Sequence, residues 1–133
     1  MTDIYTPAIR ALVVASLTLA TVTLMAVAVN TARAAGALAI GSCGAFGEAY
    51  DYRSVDEARK IALTKCKGDA CRVVATSQRG CAAFAVDFTD PCGASGWGQG
   101  PRLGGSQNAA LKACYQQGGK ECVIRTFFCD AKG

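Results

Sequence analysis

Eight cysteines and no histidine set the chemistry open to this sequence. Without an imidazole, Ser-His-Asp and Cys-His arrangements cannot be assembled. The even cysteine count leaves no free thiol to act as a nucleophile. A zinc cluster fits poorly: no Cys-x-x-Cys occurs, and four residues separate Cys66 from Cys71 and six separate Cys122 from Cys129, spacings outside the common patterns. No metal and no cofactor are expected. Two carboxylate pairs, Glu48 with Asp51 and Asp87 with Asp90, have the residue types of a glycoside hydrolase. Asp90 precedes Pro91 and reads as a turn, and Asp87 is expected in a loop, so no catalytic residue is assigned. Gly96-Trp97-Gly98-Gln99-Gly100 lacks the Lys-Ser/Thr ending of a P-loop and runs into no helix directly, which leaves a glycine-rich turn. Tyr50, Tyr52 and Trp97 suggest binding instead. Period two places Tyr50 and Tyr52 on one face of an extended segment, with Trp97 in the matching region further on. Facing solvent, such rings could stack on sugars or anchor a partner protein; facing inward, they pack a core.

These residues follow a segment of another character. Residues 11 to 29 carry no charge, Arg10 stands before them, and Ala32-Arg33-Ala34 follows with small residues flanking one position. A basic edge, an apolar core and a small-residue exit make up a secretory signal, so residues 1–34 are read as a signal peptide and 35–133 as a single exported domain. The stretch is long enough that retention as a membrane anchor stays open; otherwise the membrane is met only through this segment before cleavage. All eight cysteines lie beyond it, and dense, even cysteines behind an export signal read as a disulfide frame. Setting aside Arg10, Arg33 and Asp3 leaves a net charge of +3. The basic residues are scattered among acids, so no nucleic-acid partner is expected.

The exported part repeats itself. Ala37-Leu38-Ala39-Ile40 parallels Ala83-Phe84-Ala85-Val86, Cys43-Gly44-Ala45 parallels Cys92-Gly93-Ala94, Ala62-Leu63-Thr64-Lys65-Cys66 parallels Ala110-Leu111-Lys112-Ala113-Cys114, and Cys71 parallels Cys122. Four blocks in one order indicate two degenerate copies, about 36–80 and 81–129. Each reads as a short apolar strand, a glycine-rich turn, a second extended piece (46–52; 96–102), a helix, and a last strand (72–77; 123–129). In the first copy Ser54 and Glu57 form a capping box, and Val55, Ala58, Ile61, Ala62 and Cys66 share a helix face. The second helix is expected from about Ser106 to Gln116, with Ala110, Leu111 and Cys114 inward. The order β-β-α-β, twice, predicts an α+β domain: one mostly antiparallel sheet with both helices on one face.

The repeat also prunes the cysteine pairings. Cys66 ends a helix and Cys71 opens a strand, close enough for a bridge, and Cys114 and Cys122 stand in the same relation. Cys43, Cys81, Cys92 and Cys129 remain. Equivalent positions meeting at a pseudo-two-fold axis favour Cys43–Cys92 with Cys81–Cys129, but the sequence leaves these four open.

Gly36-Ala37-Leu38-Ala39, the stretch Gly47 to Tyr52, Glu57-Ala58, Cys71-Arg72-Val73-Val74, Gly80-Cys81-Ala82-Ala83 and Phe127-Phe128-Cys129 together resemble a family of small secreted bacterial proteins, domain of unknown function 4189. The resemblance spans residues 36–129, with Cys43 and Cys92 as an additional pair. It implies an extracytoplasmic domain and supplies no catalytic residues. The expectation is a secreted, non-catalytic binding domain whose partner is a protein or glycan outside the cytoplasm. The alternatives are an extracellular enzyme inhibitor or carboxylate-based glycan-acting enzyme, and a structural protein of the cell envelope.

Overall fold

A computed structural model describes residues 34–130; the leader assigned to 1–34 lies, apart from Ala34, outside the described residues. The elements run β1 (Ala35–Ile40), β2 (Phe46–Tyr52), α1 (Val55–Lys65), β3 (Arg72–Ser77), β4 (Cys81–Asp87), β5 (Ser95–Gly100), α2 (Leu103–Gln116) and β6 (Cys122–Cys129). The domain is α+β, with four disulfides.

The strands form two antiparallel three-stranded sheets, ordered β2-β1-β3 and β5-β4-β6, rather than the single sheet expected. The reason lies in β1 and β4. Both are central, and both are buried along their full length. In β1 the alternation puts Ala37 and Ala39 on one face and Leu38 and Ile40 on the other; in β4 it separates Ala83 and Ala85 from Ala82, Phe84 and Val86. Each strand thus has two apolar faces, one small and one large, and a sheet with helices on a single face would leave the large one in water.

The three core clusters follow this division. Leu38, Ile40, Ala75, Ala82, Phe84, Val86 and Phe128 pack between the two sheets. Ala37, Ala39, Ala49, Ala58 and Ala62 fill the space between the first sheet and α1. Ala83, Ala85, Ala94, Ala110 and Cys114 do the same under α2. The layers are helix, sheet, sheet, helix, so the helices lie on opposite outer faces, not together on one.

Alanine lining lets each helix sit close to its sheet, and glycine lets it sit closer. A β-carbon on Gly47 would overlap the Ala62 carbonyl, and one on Gly96 would overlap the backbone of Ala110 and Cys114. The segment 96–100 is therefore strand, not turn: its glycines lie beneath α2. At the start of α1 the Ser54 side chain accepts from the Glu57 amide, 3.2 Å away. Helix α2 begins a turn earlier than expected, at Leu103. Ser106 is not its cap; buried, its hydroxyl donates to the carbonyl of Cys81 (2.9 Å) and reaches that of Arg102 (3.2 Å).

Three of the outer strands each hold one residue more than the facing stretch of β1 or β4. The additional residues fall at Tyr50-Asp51 in β2, at Val74 in β3 and at Arg125 in β6. Such bulges re-aim the side chains beyond them.

Candidate functional site

The bulge in β2 decides where the tyrosines go. Ala35 pairs with Tyr52 and Ala37 with Ala49, so Tyr50 and Asp51 together face Gly36. Asp51 takes up the extra residue in the left-handed region, at φ 62°. Tyr52 packs with the alanines beneath α1, whereas Tyr50 turns to the inner face and stacks on Phe128 at 6.4 Å between ring centroids and 16° between planes. The two tyrosines therefore do not share a face. An extra residue breaks the period of two.

Tyr50 is one rung of a seam where β2 meets β6 across the sandwich. The Arg125 guanidinium lies 6.0 Å from the centroid of the Phe46 ring, within cation–π range. Next, the Thr126 hydroxyl donates to the Glu48 carboxylate. The Tyr50–Phe128 stack follows, and last the Asp51 amide donates to Asp130 Oδ1 over 3.4 Å. Tyr50 is 48% exposed, so one face of its ring is held and much of the rest is open to solvent.

Asp130 has no counterpart in the sequence-based candidates. It is 2% exposed, its amide donates to the Gly80 carbonyl at 2.8 Å, and its Oδ2 has no hydrogen-bond partner among the described residues. Gly36 makes room for it, since a β-carbon there would overlap both carboxylate oxygens and the Phe128 ring. Burial raises the carboxyl above its ordinary value; the Asp51 amide, the Ser77 hydroxyl and the Gly36 amide pull the other way, and the Asp51 charge adds to the rise. The sequence offered a faint signal: a carboxylate directly after a cysteine that pins a strand end.

The other aromatic candidate lies at the opposite edge, where β3 meets β5. Trp97 pairs in register with Phe84 and is 40% exposed. Beside it, Gln99 Nε2 donates to the Thr76 carbonyl at 2.6 Å, tying the sheets together there. Tyr50 and Trp97 are thus on separate seams and do not form one site.

Asp90 meets Asp87 through its backbone amide, for a structural purpose. Asp87 ends β4 and is buried, rather than standing in a loop. Its Oδ1 accepts from the Thr89 amide (2.9 Å), the Thr89 hydroxyl (2.7 Å) and the Asp90 amide (3.3 Å), and its Oδ2 from the amides of Lys120 (2.6 Å) and Glu121 (3.4 Å). The Lys120 bond first, then Thr89, holds this carboxyl well below the usual carboxylate range. A cavity of about 270 Å³ opens beside it, lined in part by Asp90, Gln117 and Lys120.

The cysteines form four bridges: Cys66–Cys71, Cys114–Cys122, Cys81–Cys129 and Cys43–Cys92. The first two join each helix end to the following strand, the third joins β4 to β6, and the fourth ties the β1–β2 connection to the β4–β5 connection. Among the described residues no group of three or more His, Cys, Asp or Glu is placed to hold a metal. No helix among them is long and apolar enough to cross a membrane. Four disulfides mark a domain that matures outside the reducing cytoplasm.

Comparison with known proteins adds three findings. No curated protein matches the chain. It is similar to the NMR structure of Rv1813c from Mycobacterium tuberculosis, with 26% identity over 72% of this chain and 74% of that one and a TM-score of 0.49. The family model described as a domain of unknown function, DUF4189, matches residues 35–129, from the start of β1 to the end of β6, and the chain belongs to that family.

Proposed function

We propose that this is a secreted, non-catalytic binding module, released from its leader near Ala34, that recognises a protein or glycan outside the cytoplasm through aromatic side chains on its seams. The observation that carries this reading is the exposure of Tyr50 and Trp97, 48% and 40%, on strands paired to the buried central strands β1 and β4. A half-exposed ring on a rigid strand presents apolar area at little entropic cost, which suits stacking on a sugar or anchoring a partner side chain. The two halves support a duplicated origin: each runs β-β-α-β with its first strand central. On this reading the seams are two separate binding edges.

The test is retention of the oxidised protein on immobilised peptidoglycan fragments, on an oligosaccharide panel and in envelope protein extract, beside Y50A and W97A. Loss of an anchoring ring is expected to weaken retention about tenfold, or about 1.4 kcal/mol, with the fold intact by circular dichroism. Wild-type protein that retains nothing, or variants that bind as it does, would overturn the proposal.

A further inference from the structure

The seam ends on a carboxylate whose burial the binding reading does not use. Asp130 sits where four strands terminate: Gly36 of β1 lies under it, the Asp51 bulge of β2 donates to it, Ser77 ends β3 beside it, and the turn into β4 accepts its amide at Gly80. It is 2% exposed and one oxygen has no partner among the described residues. Among the described residues, the Asp51 carboxylate acts on it with a charge of the same sign. A buried anion with an unsatisfied oxygen and a like charge nearby is a costly arrangement, and gaining a proton removes both the buried charge and the repulsion.

We propose that Asp130 is a proton-operated latch: protonated, it seats the end of β6 against the β2 bulge and fixes Tyr50 on Phe128; ionised, it loosens both. This deepens the binding reading by giving the Tyr50 seam a control. The coupling is direct. The bulge that aims Tyr50 is held at Asp51, whose amide donates to this carboxyl, and Phe128, which Tyr50 stacks on, lies two residues before it. Ionisation strengthens that one bond but leaves a buried charge repelled by the Asp51 carboxylate, which opening at the bulge relieves.

The direction follows from linkage. A carboxyl raised in the folded protein contributes stability that is fully present below its unfolded value, 3.8, and is lost as pH rises through its folded value. Acid closes the latch. Each unit of elevation corresponds to about a tenfold change in the local opening equilibrium.

The experiment follows the Asp130 side-chain carboxyl by carbon-13 NMR, together with exchange of the Tyr50 and Asp51 amides corrected for intrinsic rates. It uses the full chain, disulfides intact, as wild type, D130N and D51N. Expected are a wild-type carboxyl midpoint above the ordinary aspartate value, protection at Tyr50 and Asp51 that rises on acidification, and D130N protected independently of pH. In D51N, loss of the like charge moves the Asp130 midpoint down, and this keeps the test open should D130N fail to fold. A wild-type midpoint at or below the ordinary value, or D130N exchanging with the wild-type pH dependence, would refute the latch. No ligand enters the measurement, so its failure is distinct from failure of the binding reading.

Discussion

Asp87 and Asp130 bring one functional group into opposite electrical surroundings. Five donors converge on Asp87, and its lowered pKa means a contribution to stability that is present above pH 3.8 and lost as pH falls through the folded value. D87N is therefore expected to be less stable than wild type at neutral pH and to show a shallower decline in acid, read as urea midpoints across a pH series. Asp130 acts in the other direction, so D130N should be stabilised at neutral pH and not in acid. Neither role was readable from the residues. Asp87 followed by Phe-Thr-Asp-Pro has the composition of a loop, and its most influential partner is an amide at position 120, supplied only by the fold. Tyr50 and Tyr52 misled for a related reason: composition does not announce a bulge, which is a register difference between two strands.

At the scale of elements, local chemistry was the more readable part. The N-cap at Ser54, the alanine stripe of α1 and the extents of β2 and β3 follow from spacing and match the structure, while of the capping box only the bond from the Glu57 amide to the Ser54 hydroxyl is made. S54A is expected to cost about 1 kcal/mol in chemical denaturation. The glycines required the structure to sort them. Gly47 and Gly96 lie where a helix backbone crosses a strand, while Gly104 has open space around the position of a β-carbon. Alanine at Gly47 or Gly96 should destabilise by about 1–3 kcal/mol through overpacking. Alanine at Gly104, in the first turn of α2, should instead stabilise by about 0.5 kcal/mol; thermal melts of the three single variants check both signs. The early start of α2 was hidden because Ser106 has the composition of a cap and the position of a buried strut.

For the molecule as a whole, the α+β class and the element order could be read from the sequence, but the layering was not. It depended on reading the alternation in Ala-Leu-Ala-Ile and Ala-Phe-Ala-Val as two apolar faces of unequal depth instead of one. The bridges act at this scale too. Cys43–Cys92 spans 49 residues and ties the connecting loops of the two sheets, whereas Cys66–Cys71 spans 5. By loop-closure entropy, removing the first as C43A/C92A should cost about 4 kcal/mol and the second as C66A/C71A about 2 kcal/mol, measured by urea unfolding of the remaining three-bridge proteins.

The placement of the bulges has one more consequence. Among the described residues there are three strands per sheet, and β2, β3, β5 and β6 each leave one backbone edge unpaired there. Irregular, twisted borders are poor templates for an incoming chain, and three of these four are irregular. The pairing of β5 runs unbroken from Cys81–Gly100 to Val86–Ser95. Gly96 and Gly98 cannot be exchanged for blocking side chains without displacing α2. If a foreign strand or a second copy is ever added to this fold, Ser95–Gly100 is the border best suited to accept it.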